Sequence, residues 1–363
     1  MKTLVLLVAT CALSLFTPSA ANACGGAAGP TAKPGSVGQT AQRAFYAVHP
    51  DHTELVLQVD VPLEAKSFAI LVPLPAEPQI DPRPISAEDF EQLDRSTQPQ
   101  IITRRSSSAG EGCGCPLSQS KASDLGAATG GSSSVRSGTP VTLGPVTATK
   151  LTADSAAALE GWLTQNGFAL TEADRKIAAA YVAPGTWFVA FKPSGTSPGA
   201  VGVHLTLPGD RRGFALRMAK IGGAAQMAFT VFVSAPSAVG PGAGSRALLL
   251  TDLPAATLRG SGYHDAVAEA VSAAAGKAWV VERVGPTDAL PRSLRELGDS
   301  GFTLTRLSTV VATSVIDADV TFDGKAPDHV PSVLDVSLPG AAMVPAALLL
   351  TLLGTRLSRR RRA

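Results

Sequence analysis

An α+β fold with a largely antiparallel mixed sheet is what three observations in this 363-residue sequence predict. Two period-2 segments, Thr40 to Val48 and Thr53 to Val61, flank the turn residues HPDH and read as a β-hairpin. Further short strand-like runs recur at VGVHLTL, GFALRMA, QMAFTVFV, KAWVVERV and FTLTRLSTVV. Helical segments fall between hairpins instead of after every strand, which separates this pattern from a doubly wound parallel sheet. The arrangement held beside it is two separate β-sheets with helices packed on one side.

In chain order, 1–23 forms a signal peptide: Lys2, an apolar stretch from Leu4 to Phe16, then the cleavage signature Ala21-Asn22-Ala23. A β-rich N-terminal region, 24–103, holds the hairpin. In it Leu55, Leu57, Val59 and Val61 alternate with Val56, Gln58 and Asp60. The run SFAILVPLPAEPQI follows, and its prolines at 73, 75 and 78 predict an edge or extended segment. Ser86 then opens a helix through Leu93 with a start like a capping box. Residues 104–140 are dominated by Ser, Gly and Ala, too poor in apolar side chains to offset the entropy of ordering them, and are expected to be a flexible insertion.

The α+β region, 141–330, begins with a helix that Asp154 can cap and Gly167 can end. A second helix spans Thr171 to about Tyr181 and leads to the strand TWFVAFK. Helices near Tyr263 to Ala274 and Pro291 to Leu297 precede the last two strands. A short linker, 331–337, joins this region to 338–354, seventeen residues without a charge, and to the basic tail 355–363. A helix of that length covers roughly 25 Å against a hydrocarbon core of about 30 Å, so a slightly short C-terminal transmembrane helix is expected. Arg356, Arg359, Arg360, Arg361 and Arg362 would hold the tail in the cytoplasm by the positive-inside rule. The same layout also resembles sorting tails that a membrane protease removes.

The chain has 31 basic and 29 acidic residues. Lys2 and the five tail arginines account for six basic residues and no acidic ones, leaving 25 against 29 and a net charge of −4 on the exported part. No basic face is visible there, which argues against a nucleic-acid partner.

Cys11 leaves with the signal peptide, so Cys24, Cys113 and Cys115 remain as disulfide or lipidation candidates. Either Cys24 is lipidated and the C-G-C pair stays local, or Cys24 bonds one of the pair. Ala21 stands where lipoprotein signals carry a large aliphatic residue, so cleavage with a disulfide is preferred. His49 and His52 flank Pro50-Asp51 and read as a solvated hairpin tip, not a ligand pair. Asp317 and Asp319 are far short of the six or more oxygens calcium uses. No metal or cofactor is expected.

Several separate phrases share a family. ACGG at Ala23 to Gly26, FAILVPLPAEP, GCGC after an acidic helix, LEGWLTQNGF, PGTWFVAFKP and LTRLSTVV occur in that order. The chain resembles the exported bacterial proteins grouped as domain of unknown function 2330, from about Cys24 to Phe322, interrupted by the Ser/Gly-rich insertion. The resemblance implies export and supplies no activity, cofactor or catalytic residue.

GDSG, Gly298 to Gly301, overlaps the phrase around a serine-protease nucleophile. A nucleophilic serine needs a base in hydrogen-bond reach and a carboxylate to orient that base. None of the five histidines, His49, His52, His204, His264 and His329, lies in a protease-like phrase, and Phe302 replaces the second glycine. A helix end and turn is the simpler reading. GPGAGSR, Gly240 to Arg246, lacks the Lys-Ser/Thr of a nucleotide loop and reads as a flexible connector. His204 is expected on the wetter face of its strand, and Trp162, Trp187 and Trp279 as core anchors. No catalytic residue is assigned. The expectation is an exported, C-terminally membrane-tethered envelope protein with a noncatalytic binding or structural role, whose partner is another envelope protein or a polysaccharide. The alternative is a membrane-anchored hydrolase using Ser300 with His264 or His204, or a thiol-redox protein using Cys113 and Cys115.

Overall fold

The computed structural model describes residues 25–33, 38–61, 67–102, 135–195 and 198–336. The longer strands are β1 (Gly26–Pro30), β2 (Gln39–Val48), β3 (His52–Val61), β4 (Ala69–Leu74), β5 (Val146–Ala153), β6 (Trp187–Pro193), β7 (Gly199–Pro208), β8 (Gly223–Ala235), β9 (Ala278–Pro286) and β10 (Thr303–Ala312). The helices are α1 (Ala87–Thr97), α2 (Ala156–Gln165), α3 (Glu172–Ala179), α4 (Ala255–Gly260), α5 (Tyr263–Ala273) and α6 (Arg292–Arg295).

The strands build two large sheets. In the first, β1, β4, β6 and β5 lie in that spatial order, with Phe168–Ala169 beyond β1 and Val135–Ser137 beyond β5. All its pairings are antiparallel. The second runs Arg246–Leu248, β9, β10, β8, β2, β3, β7, Gln79–Ile80. Its β2–β8 and β9–Arg246–Leu248 pairings are parallel, and its others antiparallel.

Period-2 patterning decides how the sheets stack, because each strand offers alternate side chains to opposite faces. Tyr46, Leu57, Val203, Phe229 and Leu307 of the second sheet share one core with Ile70, Val72, Val146, Val189 and Phe191 of the first. The outer face of the first sheet, with Leu151 and Phe188, is covered by Leu159 and Leu163 of α2 and Ala178 of α3. The outer face of the second, with Phe45, Val56, Phe232 and Leu304, is covered by Phe90 and Leu93 of α1 and Leu294 of α6. α5 packs on β9 and β10. The result is a helix–sheet–sheet–helix sandwich, so helices cover both sides and not one. Each fully buried Phe or Leu contributes about 1.5–3 kcal/mol.

The fold is α+β and strand-rich. The regions expected as 24–103 and 141–330 are interleaved: β1 and β4 complete the first sheet, whereas β2 and β3 sit inside the second. β4 is interior, not an edge. On β4, only Ala69, Ile70 and Leu71 pair with β1, so that ladder has ended before Pro73, which stands opposite Phe188 of β6.

Several boundaries move. The first helix runs on to Thr97, with Ser86 as its cap. α2 is capped by Ser155, not Asp154, because the Ser155 hydroxyl accepts from the Ala158 N–H. α3 has a full capping box between Thr171 and Asp174. GFALRMA is a two-residue strand, Gly213–Phe214, followed by a 3-10 turn, Leu216–Lys220. The expected insertion overlaps a strand, Val135–Ser137, paired with β5. Within the expected linker 331–337, Val333–Asp335 forms a parallel ribbon with Gln100–Ile102. Among the described residues no helix is long and apolar enough to cross a membrane. The signal peptide, the apolar stretch 338–354 and the basic tail lie outside the described residues.

Candidate functional site

The β2–β3 turn and the neighbouring strand β7 gather three histidines and four carboxylates. His49 follows β2, His52 opens β3, and Glu54 lies two residues further on the face away from the central core. His204 and Thr206 share that face on β7, where Thr206 is opposite Glu54. Asp81 arrives from the edge strand Gln79–Ile80, held by its backbone N–H donating to the His204 carbonyl at 3.0 Å.

His204 Nε2 donates to Glu54 Oε2 at 2.6 Å, and its Nδ1 lies 3.5 Å from Asp81 Oδ2. The Thr206 hydroxyl donates to the same Glu54 oxygen at 2.8 Å. On the other carboxylate oxygen, His52 Nε2 approaches to 3.4 Å, while His52 Nδ1 is 2.8 Å from Asp51. The His52 ring stacks on His49 with centroids 4.2 Å apart and planes 4° from parallel. His49 Nε2 donates to the Leu297 carbonyl at 2.8 Å, and its Nδ1 faces Asp299 Oδ2 at 3.2 Å. A continuous line runs from Asp299 through His49, His52, Glu54 and His204 to Asp81 and Arg83.

The solvated-tip expectation holds for His52, which is half-exposed, but not for His49, and the wetter face expected for His204 is closed over. His49 is only 9% exposed, and His204, although away from the core, is 8% exposed. Both are roofed by neighbouring chain that local sequence does not show. Burial raises the Glu54 pKa, but the hydrogen bonds from His204 and Thr206 outweigh it and leave the carboxyl below its ordinary value. Asp81 is lowered to about 2, chiefly by the hydrogen bond from the Arg83 side chain.

Ser300 is exposed on the turn after α6, whose glycine Gly301 takes φ +93°. Its neighbour Asp299, not Ser300, meets a histidine. Both His49 nitrogens are already engaged, and among the described residues no hydrogen bond joins Ser300 to any histidine. His264 pairs with Asp265 at 3.5 Å on the surface, and His329 is exposed. The general base that a Ser300 nucleophile requires is therefore not assembled.

A second polar cluster lies on the same outer face. The Arg306 guanidinium, the Ser308 hydroxyl and the Tyr263 hydroxyl of α5 all donate to the fully buried Glu282 carboxylate. Arg306 Nη1 also meets Asp94 of α1 at 2.8 Å and Thr97 at 3.0 Å, and the guanidinium carbon lies 5.2 Å from the centroid of the Phe232 ring. Burial and then the neighbouring Glu282 carboxylate raise the Tyr263 pKa. Burial pulls Arg306 down, and the charges of Glu282 and Asp94 more than reverse this.

The remaining candidates disperse. The loop 240–246 is anchored, not loose. Val239–Gly240 pairs with Gly324–Lys325, and Gly242 packs so closely that a Cβ there would meet the Thr321 hydroxyl at 2.1 Å. With Ile316–Val320 and the Trp279 floor, 243–245 borders a cleft of about 110 Å3. Asp317 and Asp319 border it too, but each is already paired, with Lys277 at 2.7 Å and with Tyr181 at 2.6 Å. Trp279 is a core anchor, whereas Trp162 and Trp187 are only half-buried. Among the described residues no three His, Cys, Asp or Glu side chains converge as metal ligands. Cys24, Cys113, Cys115, Arg356 and Arg359 to Arg362 lie outside the described residues. Gly25, the residue after Cys24, is buried, and its backbone carbonyl accepts from Gln42 Nε2 at 2.8 Å.

A profile described as an uncharacterised protein conserved in bacteria, domain of unknown function 2330, matches residues 18–323. The chain belongs to this family. The match spans β1 to β10, so both polar clusters are built within the DUF2330 region, and it stops short of the Val333–Asp335 strand. No curated protein and no solved structure matches the chain.

Within the DUF2330 region, sequence reasoning passed over Glu54, Asp81, Asp299, Glu282, Arg306, Ser308 and Tyr263. Two of these carry a local signal. Glu282 in KAWVVERV and Arg306 in LTRLSTVV are single charges inside strongly apolar strands, which a buried ion pair explains. Asp299 has none, because its partner His49 is 250 positions away.

Proposed function

We propose that this DUF2330 protein is an exported ectodomain, tethered to a membrane through 338–354, with a noncatalytic binding or structural role. One observation carries the noncatalytic reading: the acids and bases that could activate a nucleophile are spent on one another. His49 is held between Leu297 and Asp299, and His204 between Glu54 and Asp81. Such an array fixes the hairpin turn and the edge of the second sheet in one geometry. Export is supported by the signal-like first 23 residues, and the tether by the chargeless stretch before Arg356 and Arg359 to Arg362. The partner that suits this reading is another envelope protein or a polysaccharide.

Fractionation of bacteria expressing the full chain tests it, alongside a version ending at Val336. The expected result is the full chain, shortened by its first 23 residues, in carbonate-washed membranes, with the shorter version released. A full chain of uncut mass in the soluble cytoplasmic fraction would refute both export and tether. Serine-directed labelling of the extracted protein that depends on Ser300 would refute the noncatalytic role.

A further inference from the structure

Trp279, the second residue of β9, floors the cleft that 243–245 and 315–320 border. Its ring is 2% exposed and is fixed by Phe214, Phe229 and Phe322, with centroids 6.4, 6.5 and 5.1 Å away. Among the described residues its indole N–H meets no acceptor, yet it is not one of the donors sealed from water. The cleft is the open space that Trp279 borders, so the donor is turned into it. A donor in so dry a place is costly to leave unmade, and a bound acceptor relieves that cost.

The walls add an acceptor and an apolar side. Leu216 and Val315 line the cleft, and Val315 is seated against Gly276, where φ is +78° and a Cβ would meet Val315 Cγ2 at 2.6 Å. Asp317 Oδ2 takes Lys277 at 2.7 Å, and a carboxylate has acceptor sites beyond one such bond. The rim charges are matched in pairs, Asp317 with Lys277 and Asp319 with Arg217 at 3.1 Å, while Lys220 donates to the Ile316 carbonyl at 2.9 Å. Such a rim suits a neutral ligand. An apolar cavity of about 150 Å3 accepts benzene, so this one of about 110 Å3 accepts a group of about four or five heavy atoms. A carbonyl for Trp279, an N–H for Asp317 and a methyl for Leu216 and Val315 together describe an acetamido group. Half-buried Ser245 and exposed Lys277, at the mouth, offer hydrogen bonds to hydroxyls on the ring that carries it.

We propose that the Trp279 cleft binds the acetamido group of an N-acetylated aminosugar, presented at the end of an envelope polysaccharide. The proposal rests on the envelope-binding reading given above and names its partner. Trp279 donates to the acetyl carbonyl, Asp317 accepts from the amide N–H, and the methyl lies against Leu216 and Val315.

The test is saturation-transfer NMR on the full chain extracted in detergent, with N-acetylglucosamine as the probe and glucosamine and glucose as sugars that lack the acetyl group. N-acetylglucosamine is expected to bind with a dissociation constant on the order of millimolar, with the strongest transfer at its acetyl methyl. Glucosamine and glucose should bind about tenfold more weakly or not at all. Trp279→Phe keeps a ring and removes the donor, and should weaken binding about fivefold. Ala318→Trp, at an exposed position on the rim, should abolish binding without touching the core, and it decides the matter if Trp279→Phe fails to fold. Binding that Ala318→Trp leaves unchanged puts the sugar elsewhere and overturns the proposal, as does equal binding of the three sugars. N-acetylglycine methylamide bound as tightly as N-acetylglucosamine assigns the cleft to peptide and also overturns it. A chain that is cut, held in the membrane and indifferent to every probe overturns the cleft and leaves the envelope reading intact. A chain that binds N-acetylglucosamine but stays uncut in the cytoplasm keeps the acetamido site and refutes the envelope reading.

Discussion

On the outer face of the second sheet, two glutamates stand in β-strands with different surroundings. Glu282 on β9 is fully buried and receives three donors, with Arg306 bridging on to α1. Glu54 on β3 is capped by His204 and Thr206 on one oxygen, while its other oxygen looks toward the half-exposed His52. The difference is the roof. α1 and α5 close over Glu282, whereas the Glu54 array meets the turn after α6 at His49 and Asp81, just past the edge strand, at His204. The closed cluster binds two helices to the sheet. The open one keeps its carboxylates nearer to water, with the Glu54 and Asp81 side chains 15% and 18% exposed against 0% for Glu282.

Removing one partner of the closed cluster has the largest expected effect. Glu282→Ala leaves the Arg306 charge buried without its main partner, and loss of about 3–5 kcal/mol is expected in urea unfolding. The double variant Glu282→Met, Arg306→Met removes both charges and should recover most of that loss, because the desolvation cost of the pair disappears with its attraction. A double variant as unstable as Glu282→Ala alone would mean that the ion pair itself, and not the unpaired charge, is what matters. Tyr263→Phe removes one of three donors and is expected to cost about 1 kcal/mol.

The open cluster should respond less. Glu54→Ala leaves the His204 and Thr206 donors without their acceptor, at a cost of about 1–3 kcal/mol. His52→Ala, at the exposed end, removes a stacked ring that water already reaches, and a change within about 0.5 kcal/mol is expected. If His52→Ala costs as much as Glu54→Ala in the same urea titrations, the distinction between an open and a closed cluster fails.

The two clusters also differ in how far the sequence reveals them. The β2–β3 hairpin is legible from alternation around HPDH, and α1 and α3 from Ser86 and Thr171 followed three positions later by an acid. The capping hydroxyl and the N3 carboxylate act locally, so local sequence contains them. Sheet membership is not local. β4 reads as an edge because Pro73 cannot donate, yet it lies inside a sheet whose ladder on one side stops at Leu71. The 104–140 stretch reads as polar and loose although Val135–Ser137 finds β5 as a partner. Glu282 and Arg306 betray themselves as charges in apolar strands. His49 does not, because the groups that bury it, Leu297 and Asp299, come from the far end of the chain.

The smallest effect is the pH dependence that Asp81 and Glu54 of the open cluster contribute. Asp81 has a folded pKa of about 2 against an ordinary value of 3.8, lowered first by the Arg83 side chain. A depressed carboxyl binds fewer protons in the folded state than in the unfolded state. Its contribution is therefore complete above about pH 4 and disappears as pH falls through about 2. Glu54, also lowered, adds in the same direction from a higher starting value of 4.5. Arg83 is 88% exposed, so water and salt screen its attraction for Asp81 and keep the contribution small. Asp81→Asn should flatten the fall in stability between about pH 4 and 2 and should do so less at high salt. An acid slope that Asp81→Asn leaves unchanged at low salt would remove Asp81 as its source.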